Sequence, residues 1–141
     1  EKHGKGLYEL IKNKSEKNRE VFFVYGGVDA EQRERVREIT ERSNNAIIVA
    51  SYGTFSTGIN IRNLHNIIFA SPSKSRIRNL QSIGRGLRLG DNKVNATLYD
   101  IADDLQYKSK ENFTLKHFQE RINIYTEEEF DYEIHNINLK D

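Results

Sequence analysis

One short stretch of the sequence brings an amide and two guanidinium groups onto a common face. Gln81, Arg85 and Arg88 are spaced by four and three residues, so in a helix they lie on one side. Two arginines directed together at solvent can neutralise a polyphosphate, because each guanidinium presents several fixed donors to phosphate oxygens. Gly84 allows another group to approach closely. An amphipathic helix with surface arginines shows the same pattern, so this stretch alone leaves both interpretations open.

A second stretch, residues 49–61, lies about thirty residues upstream and runs from a buried strand into a loop rich in glycine and hydroxyl groups. Such a loop can offer backbone N–H and side-chain O–H donors to phosphates or ribose. An ordinary turn between a strand and a helix has a similar composition.

Two other patterns do not supply a nucleotide site. Gly4-Lys5 is followed by glycine where a phosphate loop requires Ser or Thr, and no strand precedes it. Asp29 and Glu31 follow the turn predicted at Gly26-Gly27 and suit the start of a helix, where acidic groups are favoured by the helix dipole. We therefore expect the part of a nucleotide site that cradles the phosphates to be missing from this sequence.

Charge is distributed unevenly along the 141 residues, although the net charge is only +1. Residues 60–93 hold seven basic and one acidic side chain, a net +6, whereas residues 94–141 hold five basic and eleven acidic, a net −6. A basic middle suits a phosphate-bearing partner or simply a solvated face. The chain has no cysteine, which suits a reducing cytoplasm, and no apolar run long enough for a membrane.

The periodicity of apolar residues predicts alternating helices and strands. Helices are predicted over 3–17, 29–43 (with Asp29 as N-cap), 73–89 and around Leu115–Tyr125, and strands over 21–25, 46–50, 67–70 and 94–101. This alternation indicates an α/β fold with a mostly parallel sheet. Alternating Phe130, Tyr132 and Ile134 predict an extended segment or strand after the last helix. We expect residues 1–104 to form the domain and 105–141 an appendage packing on it.

The two stretches together resemble motifs V and VI of superfamily 2 helicases, in the same order and separation. Residues 81–88 match the family pattern Q-x-x-G-R-x-x-R in full, and residues 51–61 resemble motif V, with Asn60 where many members have Asp. Residues 51–64 and the tail 115–139 are also similar to the UvsW-type helicases of T-even phages. The helix after His3-Gly4-Lys5 resembles the stretch that follows motif IV, so we expect the preceding strand to lie outside this sequence.

The resemblance implies a RecA-like, three-layer α/β/α domain that is the second of two in a DNA helicase. In that family ATP and Mg²⁺ lie between the two domains, and the first, absent here, supplies the phosphate loop and the acidic pair. By position, Arg85 and Arg88 would reach the γ-phosphate, Gln81 would contact them or the nucleotide, and Gly58 and Asn60 would lie at the nucleotide edge.

The resemblance also implies nucleic-acid contacts and a cellular setting. Ser51, Thr54 and the Gly26-Gly27 turn would lie near the DNA backbone, and Lys74, in a short basic run, is either another contact or a solubilising residue. The implied partners are branched or junction DNA and the first RecA-like domain of the same protein, with no membrane, in the cytoplasm of a phage-infected host. The alternative is a RecA-like module that binds nucleic acid or protein without catalysis.

Overall fold

The structure is a computed structural model that describes residues 2–51, 53–54, 61, 64–70, 96–108, 110 and 112–139. The described residues form two compact units, one reaching His65 and including Ala96, the other containing residues 66–70 and Thr97 onward. The first unit holds α1 (Lys2–Lys14), β1 (Glu20–Val24), α2 (Ala30–Arg42) and β2 (Ala46–Ala50), and the second holds β3 (Asn66–Phe69), β4 (Thr97–Asp100) and α3 (Phe113–Glu127). Each of these elements has the type that the sequence predicts at its position.

In the first unit, β1 and β2 form a parallel pair connected through α2. The register runs from Glu20 opposite Ala46 to Val24 opposite Ala50. Both strands are short runs of apolar and β-branched residues, which suit a strand covered on both faces. Parallel pairing needs a crossover connection, and α2 provides it. The parallel arrangement predicted from the alternation of elements is therefore confirmed for this pair.

Helices cover both faces of the β1–β2 pair. Phe23 stacks on Tyr8 of α1, with ring centroids 5.7 Å apart. Its neighbour Val24, fully buried, forms the core with Ile61, and Val36 of α2 packs against that core. Adjacent residues of a strand point to opposite faces, so α1 and α2 lie on opposite sides of the pair. The first unit thus has an α/β/α layering.

Local hydrogen bonds are found where α2 begins and where α1 ends. The carboxylate of Asp29 accepts the backbone N–H of Gln32 at 2.8 Å, which confirms the predicted N-cap of α2. Helix α1 ends at Lys14, before the predicted residue 17. There the backbone N–H and the hydroxyl of Ser15 both donate to the Ile11 carbonyl, at 2.8 Å and 2.7 Å, and close the last turn.

In the second unit, β3 and β4 also pair in parallel, from Asn66 opposite Thr97 to Phe69 opposite Asp100. Helix α3 is joined to this pair through Arg121, which is 1% exposed and forms an ion pair with Asp100. The tail helix predicted from the stripe of apolar residues is therefore present and contacts the last strand. The boundary at residue 104 stays a prediction.

The segment after α3 forms neither a helix nor a strand over residues 130–139. Its first two aromatic rings contact α3 instead: the centroids of Phe130 and Tyr132 lie 6.3 Å and 6.2 Å from that of Tyr125. The exposed remainder includes Ile137 and Leu139. No helix among the described residues combines the length and apolar character that a membrane span requires.

Candidate functional site

Four of the predicted site residues follow the carboxyl ends of β1 and β2. Val24 and Ala50 are the last paired residues of the two strands. The Ser51 backbone N–H donates to the Val24 carbonyl at 3.0 Å, which extends the pairing by one step. Because the strands are parallel, Gly26-Gly27 and Ser51–Thr54 leave the same edge of the sheet. Carboxyl edges of parallel strands are where ligands of α/β proteins usually bind.

The Gly26-Gly27 turn is closed by a hydrogen bond from the Val28 N–H to the Tyr25 carbonyl at 3.0 Å. A Cβ atom on Gly27 would lie 2.6 Å from Cε2 of the Tyr25 ring, so glycine is required there unless the ring moves. A Cβ atom on Gly26 would meet nothing within 4 Å. One glycine therefore accommodates the ring, while the other leaves its side of the turn open to an approaching ligand.

Two aromatic rings, those of Phe23 and Tyr8, hold Tyr25 in place over this turn. Phe23 and Tyr25, two residues apart on one face of the chain, stack with centroids 5.1 Å apart and an interplanar angle of 26°. Phe23 in turn stacks on Tyr8 of α1. Lys12 Nζ lies 5.5 Å from the centroid of the Tyr8 ring. Stacked rings of this kind add stabilisation beyond the area that they bury, so moving Tyr25 would disturb the contact between α1 and β1.

Beyond β2, the hydroxyl groups of Ser51 and Thr54 form a pair. Their oxygens are 2.7 Å apart, and the Thr54 N–H donates to the Ser51 carbonyl at 3.1 Å. Thr54 is 4% exposed, whereas Ser51 is half-buried. Of the two predicted contact residues beyond β2, Ser51 is thus the one whose side chain is open to a ligand, while Thr54 lies in a helical turn.

The electrostatic surroundings of this edge are mixed. Exposed Asp29 and Glu31 stand at the start of α2, directly after the turn. Two carboxylates there already interact with the positive end of the helix dipole and would repel another anion. This helix terminus is therefore a poor site for a phosphate. On α2, hydrogen bonds from Arg37 to Glu34 lower the pKa of that glutamate. An anion at this edge would therefore be held by backbone N–H and hydroxyl groups.

The second unit holds a buried ionic cluster that the sequence did not predict as a site. Nε and Nη2 of Arg121 donate to the two carboxylate oxygens of Asp100 at 2.7 Å and 2.8 Å, and the Tyr125 hydroxyl donates to Asp100 at 2.6 Å. Burial, and then the bond to Asp100, raise the pKa of Tyr125 well above its usual value. Among the residues that the structure describes, none forms a hydrogen bond with Arg121 Nη1. This cluster, at the carboxyl end of β4, fixes α3.

Six predicted site residues lie outside the described residues, so their predicted roles stay predictions: Gln81, Arg85, Arg88, Gly58, Asn60 and Lys74. Within the described ranges, no group of three or more His, Cys, Asp or Glu side chains is placed to hold a metal ion. The described part of the candidate site is thus the Gly26-Gly27 turn with the Ser51–Thr54 hydroxyl pair.

Comparisons with known proteins agree on one family. A family model described as "Helicase conserved C-terminal domain" matches residues 2–90. The protein "ATP-dependent DNA helicase uvsW" of Enterobacteria phage T4 is 42% identical over 147 residues, which cover 97% of this chain and 29% of that protein. The solved structure "The crystal structure of T4 UvsW" matches with a TM-score of 0.72 and 41% identity, over 94% of this chain and 28% of that one. This chain thus spans less than a third of the relative's length.

Proposed function

We propose that this chain, which belongs to the family of helicase conserved C-terminal domains, works as the second RecA-like lobe of an ATP-dependent DNA helicase or translocase. The observation that carries the proposal is the match over residues 2–90, because that range includes Gln81, Arg85 and Arg88. The similarity to a phage T4 protein named as a DNA helicase supports DNA as the partner and the host cytoplasm as the location. The RecA-like α/β fold agrees with this role.

In this proposal the chain supplies positive charge to a nucleotide held by the first lobe. ATP, with Mg²⁺, supplies the phosphoryl group whose transfer to water drives movement. Arg85 and Arg88 would donate to the phosphate oxygens on which charge develops, and Gln81 would orient them or contact the nucleotide. Gly58 and Asn60 would lie at the edge of the nucleotide. An arginine placed in this way contributes roughly 10³–10⁵ to the rate in NTPases.

Contact with nucleic acid is proposed for the carboxyl edge of β1 and β2. The open side of Gly26 permits close approach of a backbone, and Ser51 offers a hydroxyl beside it. Contacts from hydroxyl and backbone N–H groups to phosphate fix register without reading the base sequence. We therefore expect this edge to bind the DNA backbone, branched substrates included, with little sequence preference, and Lys74 to add an electrostatic contact.

The experiment replaces single arginines in a protein that contains both lobes. Arg85→Ala and Arg88→Ala should each reduce ATP turnover by about 10³ or more and leave DNA binding nearly unchanged. Arg76→Ala, which removes the same charge from the neighbouring basic run, serves as the matched control and should retain turnover. Near-normal turnover in either test variant would show that the replaced arginine is not a finger.

The second candidate function is a non-catalytic RecA-like module that only binds nucleic acid or protein. The open side of Gly26 and the half-buried hydroxyl of Ser51 could serve such a module without a nucleotide. In that case neither arginine substitution would change ATP turnover, while DNA or partner binding would fall. The same set of variants therefore separates the two functions.

A further inference from the structure

We propose that Thr54 is a positioning residue: its buried hydroxyl donates to Ser51 and so turns the Ser51 hydroxyl outward as a donor to a phosphodiester oxygen of bound nucleic acid. This inference rests on the proposed function, since it assigns the two hydroxyls of the same edge to different roles. Thr54 would not touch the ligand.

The direction of the hydrogen bond follows from burial. Thr54 is 4% exposed, and within the described part of the chain its hydroxyl is bonded to Ser51 Oγ alone, at 2.7 Å. A hydroxyl carries one proton, and a buried proton without an acceptor is costly. If Ser51 were the donor, the Thr54 proton would be left buried with no acceptor among the residues that the structure describes. From this burial we assign Thr54 as the donor of the pair.

As the acceptor of this bond, Ser51 keeps its own proton available. Ser51 is half-buried and begins the loop at the sheet edge, where its backbone N–H is bound to the Val24 carbonyl. The Thr54 N–H to Ser51 carbonyl bond holds the two residues at a fixed separation. A hydroxyl that accepts one hydrogen bond donates more strongly in the next, because bonds in a chain polarise one another.

The ligand that fits this arrangement is an anionic oxygen without a proton of its own. A phosphodiester oxygen accepts such a bond, and the charge makes the bond shorter and stronger than one between neutral groups. The open side of Gly26 on the adjacent strand end leaves room for a backbone to pass. A single hydroxyl contact to phosphate carries no base information, so the contact should be independent of sequence.

The test measures binding of a fluorescein-labelled oligothymidylate to the chain by fluorescence anisotropy at low salt. Ser51→Ala should weaken binding roughly tenfold, the loss of one hydrogen bond to a charged group. Thr54→Val keeps the shape, removes the hydroxyl, and should weaken binding by a few-fold. Thr54→Ser retains the donor and should bind like the wild type. The double variant should bind like Ser51→Ala alone, because Thr54 acts only through Ser51.

Thermal unfolding separates positioning from a structural role. Thr54→Val should unfold at the wild-type temperature or slightly above it, since an apolar group of the same shape replaces a buried polar one. If Thr54→Val does not fold, Thr54→Ser must still bind like the wild type, and weak binding by that folded variant would overturn the inference.

The remaining outcomes are also decisive. Wild-type affinity in Thr54→Val, or an effect that adds to that of Ser51→Ala, would refute the positioning role alone. Wild-type affinity in Ser51→Ala would refute the phosphate contact while leaving DNA binding by the chain intact. Failure of the wild-type chain to bind the probe at low salt would refute the nucleic-acid part of the proposed function, and the inference with it.

Discussion

Replacement of Arg121 by methionine should destabilise the second unit strongly, because it leaves Asp100 buried with a charge and one fewer partner. Arg121 is 1% exposed and donates twice to that carboxylate, whose side chain is 9% exposed. Removing one member of a buried ion pair costs about 3–5 kcal/mol. Tyr125 still donates to Asp100 after the substitution, so we expect the free energy of unfolding to fall by about 3 kcal/mol, the lower end of that range.

Thermal and urea unfolding of Arg121→Met against the wild-type chain provide the assay. For a domain of this size, about 1 kcal/mol corresponds to about 3–4 °C, so the midpoint should fall by about 10 °C. Arg37→Met is the matched control: Arg37 likewise pairs with carboxylates, those of Glu34 and Glu41, but its side chain is 27% exposed on a helix surface. Exposed pairs contribute little, so the control should unfold close to the wild type.

A double substitution checks the physical reason for the loss. Asp100→Asn combined with Arg121→Met removes both charges and should recover part of the stability lost in Arg121→Met alone, because no uncompensated charge remains buried. If Arg121→Met unfolds within about 2 °C of Arg37→Met, the buried pair does not hold α3 in place and the reasoning is wrong.

Two further perturbations test other parts of the fold. Gly27→Ala should lower the free energy of unfolding by about 1 kcal/mol, because the new Cβ would lie 2.6 Å from the Tyr25 ring. Gly26→Ala, the control, should change it by less than about 0.5 kcal/mol, since its Cβ would meet nothing within 4 Å. Equal unfolding midpoints for the two variants would refute the role of the ring. The raised pKa of Tyr125 means that above about pH 10 the unfolded chain releases its proton while the folded chain keeps it, so stability falls as pH rises. Urea unfolding between about pH 9 and about pH 11 should therefore show a smaller fall in Tyr125→Phe than in the wild type, and identical slopes would contradict this.

Local sequence patterns were sufficient to predict the elements that carry the candidate site. The apolar runs of β1 and β2 end at a glycine pair and at a loop rich in hydroxyls, and parallel strands bring such ends to one edge. Gly26-Gly27 and Ser51 therefore lie at the same edge of the sheet, because β1 and β2 are parallel and are joined by a crossover helix. The N-cap at Asp29 was predictable for the same reason, since capping depends on residues close in the chain.

Contacts between distant residues could not be predicted in the same way. Asp100 and Arg121 are 21 residues apart, and nothing in their spacing indicates that they pair. The unequal burial of Ser51 and Thr54 depends on packing, which sequence spacing does not report. The alternation of Phe130 and Tyr132 suited an extended segment or a strand, but a strand needs a neighbour to pair with, and these rings contact Tyr125 instead.

A nucleotide site shared between two lobes is central to the proposed function, and ATP turnover by two proteins tests it directly. Residues 1–141 alone should hydrolyse no ATP above background, with or without DNA. The same chain joined to a lobe that carries a phosphate loop and an acidic pair should show DNA-stimulated turnover that Arg88→Ala abolishes. Turnover by residues 1–141 alone, lost in Arg88→Ala, would place a complete site within this chain and contradict the account.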